Sequence, residues 1–177
     1  MARARKAGDG AGRPAPSDLP PDRQRDHCRE AALKLLGVRE RSEQELRDRL
    51  RKKGYRPDIV DGVIARLQES GLQSDDRFAD RFAESAVARG LGGRRIRTGL
   101  LSKGVDRELA VQVTTESPED EEARARALVQ RRLVSMAELT SEARQRRLLG
   151  MLARRGFSPE ICVRIAREAA SDPDPDS

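Results

Sequence analysis

Paired carboxylates are the residues of this 177-residue chain whose type and spacing first suggest chemistry. Asp75-Asp76 and Glu119-Asp120-Glu121-Glu122 could hold a divalent cation or share general acid/base work. Both runs fall at expected helix starts, where acids complement the positive end of the helix dipole. No further acids converge on them from elsewhere in the sequence. His27 is the only histidine, so a His-based acid/base pair or a His-rich metal site is not available. There is no phosphate loop ending in Gly-Lys-Ser/Thr and no Gly-x-Gly-x-x-Gly after a strand. Gly90-Leu91-Gly92-Gly93 is the only glycine-rich run, and it reads as a hinge or connector between two helices. The sequence therefore assigns no catalytic, cofactor-binding or metal-ligating residues, and the expectation is a protein that is not an enzyme.

The basic residues are harder to set aside. The net charge is +6, with a pI of about 10.0. Arg94, Arg95, Arg97 and Lys103 form one cluster, and Arg144, Arg147, Arg154 and Arg155 form another with Arg146. Such faces can meet an acidic protein surface or track phosphates, so these eight are the candidate partner-binding residues. Aromatics make up only 2 % of the chain, which argues against a base-stacking platform for single strands. No helix carries a base-reading set of Asn and Gln.

The elements that position these residues repeat. Leu50–Val60, Leu100–Ala110 and Leu152–Cys162 contain the same turn, centred on Gly54, Gly104 and Gly156, about 50 residues apart. Eight residues before each glycine stand Leu46, Ile96 and Leu148, and four before stand Leu50, Leu100 and Leu152. Lys53, Lys103 and Arg155 precede the glycines; Tyr55, Val105 and Phe157 follow them. Asp58, Glu108 and Glu160 start the next helix, and Ile59, Leu109, Ile161 and then Val63, Val113, Ile165 give it an apolar stripe. The glycine suits the left-handed position that ends a helix, and Pro57 suits a first helical turn. Ser42-x-x-Glu45 reads as a capping box.

Each such unit has a helix in front. The first runs from about Asp26 to Gly37 with Ala32, Leu33, Leu35 and Leu36 as its apolar face. The second starts at Ser74 and carries Phe78, Phe82 and Val87. The third follows Pro118 and carries Leu128, Val129, Leu133 and Val134. The fold class predicted is all-α: three tandem three-helix repeats, helix-turn-helix-like, forming an elongated curved rod. The repeats are placed at residues 26–73, 74–117 and 118–170. Residues 1–25 are expected to be a disordered basic arm rich in Pro and Gly, and 171–177 an acidic disordered tail. Cys28 and Cys162 read as small buried hydrophobes in a reduced, cytoplasmic protein. No signal peptide and no membrane span are expected. With high surface charge and no heptad seam, a monomer is expected.

Ser42-x-x-Glu45-Leu46, Gly71-Leu72-Gln73-Ser74-Asp75-Asp76-Arg77-Phe78-Ala79 and Gly92-x-x-Arg95-Ile96-x-x-x-Leu100-x-x-Lys103-Gly104-Val105 resemble the bacterial regulatory family RecX. The likeness runs from about Arg29 to Ala169, more loosely in the third repeat. It implies an all-helical protein of three three-helix repeats that is not an enzyme. It implies binding to the RecA recombinase, chiefly its filament on single-stranded DNA, with inhibition of ATP hydrolysis, strand exchange and coprotease activity. Regulation of DNA repair, recombination and the SOS response would follow. The basic charge adds weak nonspecific DNA binding as a further expected contact. Two other readings stay open on the residues alone: an autonomous DNA-binding protein of helix-turn-helix type, and a structural scaffold.

Overall fold

The computed structural model describes residues 16–171, and the elements of these residues are helical. A short 3₁₀ turn at Pro16–Asp18 leads into α1 (Pro21–Leu36), α2 (Glu43–Lys52) and α3 (Pro57–Glu69). Then come α4 (Asp75–Ala88), α5 (Gly93–Leu101) and α6 (Arg107–Gln112), followed by α7 (Pro118–Leu133), α8 (Ser141–Arg155) and α9 (Pro159–Ser171). A second 3₁₀ turn, Val134–Met136, extends α7. The chain forms two compact units. Of the described residues, the first holds 16–39 together with Leu46–Leu72, and the second holds Glu40–Glu45 and 73–171.

The spacing of the apolar residues explains the cores. In the first unit Leu46 and Leu50 of α2 pack with Ile59, Val60, Val63, Ile64 and Leu67 of α3 and with Cys28 and Ala32 of α1. In the second unit Phe78, Ala79, Ala83 and Ala86 of α4 meet Ile96 and Leu100 of α5, with Val105 and Ala110 beyond the turn. A separate cluster joins Ala125 and Val129 of α7 to Leu148 and Leu152 of α8 and to Ile161, Cys162 and Ile165 of α9. Leu50, Leu100 and Leu152, equivalent in the repeat, are all fully buried. Truncating any of them to alanine would cost about 2–5 kcal/mol.

The three turns are the same motif. The amide of Gly54 donates to the Arg51 carbonyl and that of Tyr55 to Leu50; Gly104 to Leu101 and Val105 to Leu100; Gly156 to Ala153 and Phe157 to Leu152. This paired arrangement closes a helix C-terminus when the residue after the cap is left-handed. The glycines have φ of +90°, +77° and +84°.

Several expectations need correction. α1 begins at Pro21, not near Asp26, so the arm placed at 1–25 is helical in its last part. The reason is local: Pro21 occupies the first helical position, and the buried Gln24 ties two other segments together. Its amide nitrogen donates to the Pro16 carbonyl at 2.7 Å, and its oxygen accepts the Arg56 amide at 3.0 Å. Ser171 still belongs to α9. Residues 1–15 and 172–177, the rest of the expected arm and tail, lie outside the described residues. Leu33, Val87 and Val134, expected on apolar faces, are exposed. Both cysteines are buried free thiols, as expected; burial pushes Cys28 up to about 11 and raises Cys162.

Gly62 lies inside α3, is exposed, and has nothing within 4 Å of where a Cβ would stand. Replacing it with alanine should stabilise the helix by about 0.5–1 kcal/mol. A thermal melt should show a rise in Tm of roughly 2–3 °C; an unchanged or lower Tm would mean the site is not an open helical position.

Candidate functional site

Asp75, Glu121 and Glu122, among the carboxylates with catalytic potential, serve as caps or ion-pair partners. Asp75 Oδ1 accepts the Glu43 amide at 2.7 Å, at the start of α2, and the Gln73 side-chain amide at 2.7 Å. Glu121 Oε1 accepts the Ser158 amide at 2.8 Å, just before α9. Glu122 is paired with Arg126 and Arg164, whose guanidinium groups hold its carboxyl below the usual range. The described residues contain no group of three or more His, Cys, Asp or Glu placed to hold a metal ion, and none of their helices is long and apolar enough to cross a membrane.

The loop Gly90–Gly93 is a connector, and it is pinned. The Gly92 amide donates to the Arg155 carbonyl at 2.9 Å, and the Arg94 amide to the Gly156 carbonyl at 3.1 Å. A Cβ on Gly92 would stand 2.5 Å from the Gly156 carbonyl and the Phe157 nitrogen. Two backbones therefore touch where α5 begins and where α8 turns into α9. Arg124 reinforces the junction: it donates to the Leu91 carbonyl at 2.6 Å, pairs with Glu116, and lies 5.7 Å from the Phe157 ring centroid.

The eight basic candidates separate by what they touch. Arg155 donates to the Arg89 carbonyl at 2.6 Å and so caps the end of α4. Arg97 donates to Thr114 Oγ1 at 3.1 Å. Arg144 donates to the Ala137 and Leu139 carbonyls ahead of α8. Lys103 Nζ meets Glu45 Oε1 at 2.5 Å and lies 5.9 Å from the Phe82 centroid. Its carbonyl accepts the Ser42 hydroxyl at 2.6 Å, while Ser42 Oγ accepts the Glu45 amide at 3.1 Å, the expected cap.

Arg94, Arg95 and Arg154 differ. All three are exposed, make no ion pair among the described residues, and line one groove between α5 and the α8–α9 turn. Leu149, Val163 and Phe157 also line it. Arg147 is exposed on α8 but lies outside that lining. Among the described residues, α5 is the one α-helix with no acid in its first turn; Arg94 and Arg95 stand there instead. Cations at that end cost the helix a few tenths of a kcal/mol. Stability alone does not favour them.

The sequence reading missed Leu149, Val163 and Thr98 as groove residues. The signal available was modest: Leu149 and Val163 are large apolar residues one position away from the buried Leu148 and Cys162.

Family models for the first, second and third three-helix domains of RecX match residues 28–67, 74–113 and 119–165. This chain belongs to the RecX family. The "Regulatory protein RecX" of Amycolatopsis mediterranei is 36 % identical over 155 residues, 86 % of this chain and 89 % of the relative. That of Thermobifida fusca is 36 % identical over 165 residues, 92 % and 89 % of the two chains. The crystal structure of RecX from Lactobacillus salivarius superposes with a TM-score of 0.74 at 21 % identity, covering 82 % of this chain and 96 % of that one, a likeness of fold. All three matched domains of this RecX-family chain coincide with a three-helix set in the fold: α1–α3, α4–α6 and α7–α9.

Proposed function

We propose that this chain is a regulatory protein that binds the RecA recombinase, chiefly the RecA filament on single-stranded DNA. It restrains ATP hydrolysis, strand exchange and coprotease activity, and so regulates DNA repair and recombination in the cytoplasm. It does this by binding and without catalytic chemistry of its own. The observation that carries the reading is membership of the RecX family across all three repeats. The exposed, unpaired arginines on one groove support it, since a regulator of a filament needs a surface free for its partner. A modular chain with several contact surfaces gains avidity on a polymeric target, where one weak contact holds the next in place.

The test is ATP hydrolysis by the cognate RecA on saturating single-stranded DNA, with this protein titrated in. Inhibition is expected at protein levels well below RecA, because action on a filament needs fewer copies than action on free protomers. Unchanged hydrolysis at a stoichiometric excess would sink the reading. Tight, sequence-selective duplex binding that survives a rise from 50 to 200 mM salt would instead favour an autonomous DNA-binding protein.

A further inference from the structure

We infer that the groove between α5 and the α8–α9 turn docks an acidic protein segment bearing apolar anchor side chains, and not a nucleic-acid strand. The inference rests on the proposed regulatory role and names the chemistry of the partner at this site.

The rim supplies charge. Arg94, Arg95 and Arg154 line the groove, and no Asp or Glu is among its lining residues. Each is exposed and without an ion pair among the described residues, so each is available to an incoming carboxylate. Guanidinium groups bind carboxylates through two parallel hydrogen bonds, which fixes orientation as well as charge.

The floor decides between the two kinds of acidic partner. Leu149 is 37 % exposed and Val163 is 44 % exposed, both large apolar side chains open to the groove. A phosphate backbone has nothing to bury against them. Bases would need an aromatic face to stack on, and the only aromatic in the lining, Phe157, is 1 % exposed beneath the surface. An amphipathic acidic segment satisfies both parts: carboxylates at the rim and an aliphatic side chain on Leu149 and Val163.

The walls are set before the partner arrives. The backbone bonds from Gly92 to Arg155 and from Arg94 to Gly156 hold the start of α5 against the turn after α8. Docking into a groove fixed in this way costs little reorganisation.

The experiment uses the full chain and fluorescence anisotropy with three labelled probes. One is a short Glu/Asp peptide with two leucines one helical turn apart. The second is the same peptide with serines for the leucines. The third is oligo-dT of matched charge. The leucine peptide should bind about tenfold more tightly than the serine peptide. Arg94→Glu with Arg154→Glu should weaken it about tenfold or more, and the uncharged change Val163→Ser by about fivefold, while Val163→Ser leaves oligo-dT binding unchanged. Leu149→Ser should repeat the Val163→Ser result from the other side of the floor, and melting curves confirm that each variant folds.

Equal binding of the two peptides, or leucine-peptide binding indifferent to both floor variants, would overturn the inference. So would oligo-dT binding that is tighter than peptide binding and depends on Arg94 and Arg154. The RecA ATPase assay on the same wild-type protein separates the two claims. Inhibition without peptide discrimination leaves the regulatory role standing and removes this partner chemistry; peptide discrimination without inhibition does the reverse.

Discussion

Replacing Gly156 with alanine is expected to cost about 2–4 kcal/mol, a fall in Tm on the order of 5–10 °C. Two effects add. The residue has φ +84°, where a Cβ is strained by about 1–2 kcal/mol. The new Cβ would also run into the backbone nitrogen and Cβ of Arg95, which belong to α5 and cannot swing aside like a side-chain tip. The repeat supplies its own controls. Gly54 has the same left-handed turn at φ +90°, yet its Cβ would meet only Pro16 Cδ at 3.8 Å. Gly104, at φ +77°, would meet the Gln44 Cβ at 2.5 Å and Cγ at 2.9 Å, but the Gln44 Cα stands off at 3.9 Å, whereas Gly156 meets the Arg95 backbone nitrogen as well. The expected order of destabilisation is therefore Gly54→Ala, then Gly104→Ala, then Gly156→Ala. Urea or thermal unfolding of the three variants measures it. Equal losses would mean that the turn conformation alone matters and that the Arg95 contact has slack.

That ordering also marks where the sequence stops being informative. The turns were legible because each position around the glycines carries a residue type with a single physical role, whether apolar knob, cation at a helix end, left-handed stop or plug over the turn. Those roles depend on side chains, and side chains are what a sequence spells out. The seam between α5 and the α8–α9 turn depends on main-chain amides meeting main-chain carbonyls, Gly92 to Arg155 and Arg94 to Gly156. Any residue has a carbonyl and nearly every residue an amide, so only the missing Cβ of Gly92 and Gly156 hints at the contact, and a glycine has other reasons to be where it is. The same limit applies to the start of α1. Its anchor, Gln24, is polar and buried because two backbone groups outside its own helix need its amide.

Arginine is ambiguous for a different reason. Its long stem reaches several partners, and charge alone does not say which. Arg155 stands in the same repeat position as Lys53 and Lys103, and the expectation of a cation suited to its own helix end is sound. Yet its guanidinium reaches the carbonyls of Arg89 and Gly90, at the end of α4. Arg94 and Arg154, by contrast, meet no carboxylate among the described residues and stay exposed.

This contrast leads to the prediction with the largest expected effect on function. Arg94→Glu with Arg154→Glu should weaken the proposed inhibition of the RecA ATPase by more than about tenfold, since each reversal turns an attraction into a repulsion at the proposed docking surface. Tm should move little, because exposed groups without partners contribute little to stability. Removing Arg94 even relieves an unfavourable cation in the first turn of α5. Lys103→Ala should behave in the opposite way. It leaves the Glu45 carboxylate, 16 % exposed, without the ammonium that faces it at 2.5 Å, so it should lower stability by about 1–3 kcal/mol. Once corrected for the folded fraction, its inhibition should match that of the wild type. Measuring inhibition and melting on both variants separates a docking residue from a structural one. If Lys103→Ala abolished inhibition at full stability, while the double reversal inhibited normally, the functional surface would lie around Lys103 and the groove would be a by-product of packing.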